Sequence, residues 1–239
     1  MTELAEQDSD RARRILAAAR ELVLKRGVKG VTVAEIAQKA HVGKGTAYLY
    51  WGTKEDLLLG LFAREFLAAT DDFTDALTND PDLARPHRLC PRIARSALES
   101  PFVRALQVGD ADLLGVLARH PRSTELLDKL GPAGLLYTVL PVWRRHRLAR
   151  TDWPLDEQAY ALQALMAGFL DAATRTSVLP TVSVDEPDKV MAAAVTALLG
   201  SEEASPADIR ATADEGLRLM REQREIVLAS IATRTAGSA

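Results

Sequence analysis

Two phrases in the N-terminal quarter, TVAE at 32–35 and TKED at 53–56, each set a threonine three positions ahead of an acid and then run into apolar residues at helical spacing. That arrangement starts a helix: the hydroxyl accepts from the backbone N–H three residues on, and the acid reaches back toward the cap. Val33, Ile36, Ala37 and Ala40 supply a buried face after the first start, and Leu57, Leu58 and Leu61 supply one after the second. The interval leaves room for one short helix, over roughly 44–51. Two short helices separated by HVG at 41–43 make a helix-turn-helix, with Val42 as the apolar plug.

Upstream, Ile15, Leu16, Ala19, Leu22 and Val23 form one stripe of a helix over about 10–26, which Gly27 and Gly30 end. In the third helix, burying Ala47 and Trp51 at i and i+4 leaves Lys44, Thr46, Tyr48 and Tyr50 largely on its outer sides. These are donors suited to a groove and its phosphates, and Gly45 lets the backbone come close where a Cβ would obstruct it. Charge points the same way. From Arg11 to Lys54 ten Lys/Arg face two acids, a balance of +8, which leaves −11 for the rest of a chain whose net charge is −3. A basic module on an acidic body suits a polyanion at one end, although a solvated helix face would give the same excess.

The stretch GVKGVTVAEIAQKAHVGKGTAYLYWGTKEDLLLGLF, Gly27 to Phe62, resembles the N-terminal domain of the tetracycline-repressor (TetR) family of bacterial transcription regulators. The resemblance implies DNA contacts from Lys44, Gly45, Thr46, Tyr48 and Tyr50, and phosphate contacts from Thr32 and Lys54 at the starts of the second and fourth helices. It implies a homodimer on a palindromic double-stranded DNA operator, a repressor released by a small-molecule effector, and no cofactor. Three positions depart from the family pattern. His41 stands where a turn glycine is usual, so a positive φ is expected on a residue that tolerates it at some cost. Gly43 replaces the usual serine and Trp51 the usual phenylalanine.

The expected fold is all-α, with a helix-turn-helix DNA-binding domain at 10–62 and a helical ligand-binding and dimerisation domain at 63–239. In that body the Pro/Gly/Asp-rich stretches TNDPDLARPHRLCP, GPAG, TDWPLD, LPTVSVDEP and GSEEASP read as breaks. The longest clear helix runs from about Asp156 to Ser177. Ala161, Ala164, Gly168 and Ala172 make a small-residue stripe on it, and Leu162, Leu165 and Phe169 a bulky one. Both stripes suit packing within one subunit. The family's dimerisation through its last two core helices instead assigns the small stripe, with a helix over Lys189–Leu199, to a dimer interface. A further amphipathic helix follows Pro206, carrying Ile209, Ala213, Leu217, Met220, Val227 and Ile231, and it packs on its own subunit or across the dimer. For the effector, the candidate lining residues are Phe66, Phe102, Gln107, Asp110, Tyr137, Trp143 and Phe169, each of which also fits plain core. Gly60 is the one soft position in a fourth helix that carries the head without a linker.

Other chemistries find little support. GKGT lacks the flanking Gly and Ser/Thr of a phosphate-binding loop, and His41, His87, His120 and His146 are scattered, with no zinc-hydrolase or serine-hydrolase motif. A single cysteine, Cys90, excludes an intrachain disulfide and a Cys-cluster metal site. No apolar run approaches the ~18 residues of a membrane span, and MTELAEQDSD lacks signal-peptide character, so a cytoplasmic, non-enzymatic protein without metal is expected. A helical carrier or enzyme with a vestigial head is the competing reading. The charge division and the Lys44/Tyr48/Tyr50/Lys54 set argue against it.

Overall fold

The computed structural model describes residues 9–108, 110–115, 132–174 and 184–232, and every regular element among them is helical. The head begins with α1 (Asp10–Arg26), α2 (Val33–Lys39) and α3 (Lys44–Tyr50), followed by the long α4 (Lys54–Asn79). A 3₁₀ turn at Pro81–Ala84 leads to α5 (Pro86–Glu99), α6 (Pro101–Val108) and α7 (Ala111–Leu114). Then come α8 (Pro132–Arg145), α9 (Leu155–Thr174), α10 (Pro187–Leu199) and α11 (Pro206–Ala232). The long helix expected to reach Ser177 is described as far as Thr174, and its remainder lies outside the described residues.

The helix starts follow from the sequence. Thr32 Oγ1 accepts from the Glu35 N–H at 3.2 Å while Glu35 Oε2 accepts from the Thr32 N–H at 2.9 Å, a complete capping box. Thr53 accepts from the Asp56 N–H at 3.0 Å, and Ser205 and Asp208 build a third box in front of α11. Five α-helices and the 3₁₀ turn open on proline, at 81, 86, 101, 132, 187 and 206. At the first helical position the missing N–H has no partner to lose and φ is already set. The stretch read as a break from Thr78 to Pro91 is therefore mostly helical: it holds the 3₁₀ turn and the first half of α5, which continues through Pro91.

The described residues fall into two compact units, one within Met1–Ala68, Pro101–Asp128 and Gln223–Ala239, the other within Ala69–Ser100 and Lys129–Glu222. In the first, Ile15, Ala19, Val23, Ile36, Ala37, Ala47, Leu57 and Leu58 form the core of the head. The Val42 N–H closes the turn on the Ala37 carbonyl at 2.9 Å, and His41 sits at φ 54 as its position required. His41→Gly should raise the melting temperature by about 1–3 °C, the relief of a left-handed side chain less the extra freedom of glycine in the unfolded chain. Calorimetry showing a loss instead would mean that the imidazole stabilises the turn.

A second connection binds the head to α7. The Val28 N–H donates to the Leu113 carbonyl at 2.8 Å, while the Val28 carbonyl accepts from Lys54 Nζ at 2.6 Å. One residue thus joins the α1–α2 turn, the start of α4 and α7. Gly27, at φ 67, lies so close that a Cβ there would sit 2.1 Å from the Asp112 carbonyl oxygen. Gly60, expected as a soft point, is a packing site instead. A Cβ on it would stand 3.1 Å from both Trp51 Nε1 and Arg64 Nη1, and α4 passes through it unbroken.

In the second unit α5 packs chiefly against α10, with α8 and α9 alongside. Trp143 is fully buried and its indole N–H donates to the Ala84 carbonyl at 2.8 Å. Cys90 is buried, and loss of solvation pushes its thiol up to about 12, so it is an inert core residue. The first part of α11 packs on its own chain: Ile209, Ala213 and Leu217 are buried, Gly216 faces Leu77, and Glu215 binds Arg145 and His146. The side chain of Ile231 lies outside the described residues.

Candidate nucleic-acid interface

Helix α3 is held from below by Ala47 and by Trp51, the residue that ends it, both buried. At about 100° per residue, Gly45 and Leu49 fall opposite Ala47 and Lys44 and Tyr48 lie along the edge next to them, and all four are exposed. Lys44 Nζ lies 5.8 Å from the centre of the Tyr48 ring, a cation–π arrangement that holds both side chains on this face. Thr46 and Tyr50 differ from expectation: both are half-buried at the flank of the inner side. The Tyr50 hydroxyl shares a 2.5 Å hydrogen bond with Ser9, the residue that caps α1, and its ring centre is 5.6 Å from that of Trp51. Leu49 is the member of the outer face that sequence reasoning missed. The same count from Ala47 places it outward.

The two residues expected at phosphates already have partners. The hydroxyl of Thr32, an exposed residue, donates to Glu35 Oε2 at 2.8 Å, and the half-buried Lys54 donates to the Val28 carbonyl. Much of the basic charge is also answered locally. Glu21 takes Lys25 and Lys39 at 2.9 Å each, and hydrogen bonds from Lys25 and then Lys39 hold its carboxyl below the usual range. Glu35 is held low by the Thr32 hydroxyl and backbone N–H, with Arg26 adding to them. Arg20 pairs with Glu65 at 2.8 Å, and Arg13 with Asp10. Within the basic segment from Arg11 to Lys54, Arg11, Arg14, Lys29, Lys44 and Lys54 have no carboxylate partner among the described residues, so the unneutralised positive charge of the head lies on α1, its following turn, α3 and the start of α4.

The small stripe of α9 lies open. Ala164, Gly168 and Ala172 are exposed and Ala161 is half-buried, while Leu162 of the bulky stripe is fully buried and Leu165 and Phe169 half-buried. Tyr160, 71% exposed, extends the open face, and Val190, Ala193 and Ala197 of the neighbouring α10 are exposed as well.

The seven candidate effector residues are divided between the units. Phe66, Phe102, Gln107 and Asp110 belong to the first and Tyr137, Trp143 and Phe169 to the second. Phe102 is buried with its ring centre 5.0 Å from that of Phe62, and Phe66 is buried too. Asp110 Oδ1 accepts from the N–H groups of Asp112 and Leu113 at 2.9 Å, which makes it the cap of α7. Tyr137 is 49% exposed, and the Gln107 side chain lies outside the described residues. Among the described residues no group of three His, Cys, Asp or Glu could hold a metal ion, and no helix is long and apolar enough to cross a membrane.

Residues 15–61 match the family described as "Bacterial regulatory proteins, tetR family". The chain is 30% identical over 164 residues to the "HTH-type transcriptional repressor KstR" of Rhodococcus jostii, across 60% of this chain and 77% of that one. It is 34% identical over 85 residues to the "Uncharacterized HTH-type transcriptional regulator YdeS" of Bacillus subtilis, across 33% of this chain and 43% of that relative, less than half its length. The structure of RolR with resorcinol aligns at a TM-score of 0.45 and 24% identity, over 87% of this chain and 95% of the other. The match at the head, extended by the KstR relationship into the body, makes this chain a member of the tetR family of bacterial regulatory proteins.

Proposed function

We propose that this protein is a transcription regulator, a repressor, that binds a palindromic DNA operator as a homodimer through the outer face of α3 and is released from it by a small-molecule effector. The observation that carries the reading is Gly45. A Cβ built there meets nothing within 4 Å, although glycine in a helix costs about 1 kcal/mol relative to alanine. No neighbour within the described fold asks for the missing side chain, so the close approach it permits belongs to something outside. Beside it stand Lys44 and Tyr48, a cation and a hydroxyl of the kind that hold phosphate and base edges. Thr46, Tyr50, Thr32 and Lys54 remain proposed contacts at the rim, and the internal hydrogen bonds of Tyr50, Thr32 and Lys54 fix where the chain presents those three.

Gly168 repeats the pattern on α9, where a Cβ would also meet nothing within 4 Å. Together with Ala161, Ala164 and Ala172 it supports a dimer face in which two subunits approach closely. The effector reading rests on family membership, with Phe66, Phe102, Gln107, Asp110, Tyr137, Trp143 and Phe169 as the proposed contacts. Operator DNA places the protein in the cytoplasm.

The test pairs stability with binding. Gly45→Ala should stabilise the fold, raising the melting temperature by about 2–4 °C, while weakening operator binding at least tenfold. Lys44→Ala should lower the salt dependence of binding by about one counterion per subunit. Footprinting upstream of the protein's own gene, followed by salt titration of the protected fragment, supplies both measurements. If no palindrome is protected at any salt by the folded wild type, the reading fails.

A further inference from the structure

The apolar side chain that stands furthest out of the described surface is in the middle of the basic head. Leu49 is 81% exposed, the largest value among the exposed large hydrophobic residues described. It lies on the opposite side of α3 from Ala47, so the fold gains nothing from its size. Gly45 shares that side, and Lys44 and Tyr48 border it, with Lys44 Nζ drawn over the Tyr48 ring. The positive charge therefore lies toward the first turn of α3 and the leucine one turn further on.

That mixture selects among occupants. The cations of the head that have no carboxylate partner among the described residues, Arg11, Arg14, Lys29, Lys44 and Lys54, complement a polyanion better than an apolar pocket on a protein. In the major groove the donors and acceptors of the base edges are interrupted by one apolar group, the C5-methyl of thymine. An aliphatic side chain flanked by phosphate-seeking groups matches it.

We propose that Leu49 is a specificity-determining residue that covers the C5-methyl of one thymine in each operator half-site. The inference rests on the DNA-binding reading above and adds to it a contact that selects sequence without a hydrogen bond. Since the side chain is exposed, truncating it leaves the fold intact, and Leu49→Ala keeps the wild-type melting temperature.

The experiment uses the full chain. Bound duplexes are selected from a random-sequence pool, and affinity for the selected operator is then measured with each thymine replaced in turn by deoxyuridine, which removes the methyl and nothing else. The wild type loses about fourfold per half-site at one symmetric thymine position, the effect of exposing one methyl. Leu49→Ala binds more weakly and no longer distinguishes thymine from uracil there, while any discrimination at other positions is retained. Wild-type protein indifferent to uracil at every position, or a Leu49→Ala variant with the full wild-type discrimination, overturns the inference and leaves DNA binding standing. A folded wild type that selects no duplex overturns both.

Discussion

A Gly27→Ala variant unfolds roughly 6–12 °C below the wild type, a loss on the order of 3 kcal/mol for a chain of this size. Two effects add. At φ 67 and ψ 169 the residue occupies a region essentially reserved for glycine, which any side chain enters under strain. The new Cβ would also lie 2.1 Å from the Asp112 carbonyl oxygen and 3.2 Å from its carbon, both backbone atoms that cannot swing aside. Relief requires α7 to move off the turn, which breaks the 2.8 Å bond from the Val28 N–H to Leu113. Thermal or urea denaturation measures the loss. A midpoint within about 2 °C of the wild type would show that Asp112 does not press on this turn in solution.

The second large effect concerns assembly. Ala164→Glu adds a carboxylate to a face that is solvent-exposed in the single chain and folds normally there. If α9 meets its symmetry mate across Ala164 and Gly168, two such carboxylates enter a close apolar interface without partners. An uncompensated buried charge costs about 3–5 kcal/mol, which is more than a hundredfold in dimer affinity. Sedimentation should then find folded monomers, and operator binding should fall with them because a palindrome needs both halves. Ala164→Ser, small and uncharged, should leave the dimer in place. A Glu variant that sediments as an intact dimer moves the interface off this stripe.

What could be read in the sequence was local. The capping pairs Thr32/Glu35 and Thr53/Asp56 declared α2 and α4, Ala47 and Trp51 gave the buried side of α3, and His41 in a glycine's place announced its positive φ. Each of these signals is complete within a few residues. Tyr50 was misplaced because its partner, Ser9, lies 41 positions away, and no periodicity within α3 contains that bond. Lys54 meets the Val28 carbonyl across 26 residues for the same reason. The prolines misled differently. As punctuation they read as breaks, yet at 86, 132, 187 and 206 they stand on the first helical residue, where the fixed φ favours a helix. Asp110 also caps a helix, a role legible only once the short α7 is known, because its carboxylate accepts from N–H groups two and three residues on.

The backbone of Val28, held by Leu113 on one side and Lys54 on the other, limits how the head can be transplanted. Regulators are often treated as modular, with a reader of one operator spliced to the sensor of another. A splice made after α4 begins and before α6 would carry away the turn and leave behind the strip of chain that completes it. The N–H of Val28 would then look for a carbonyl on a foreign body, and the space that Gly27 keeps empty would have nothing to admit. A working graft takes Pro101–Gly115 along with the reader, so the smallest transferable unit is two separated stretches of sequence and not the first sixty-odd residues alone.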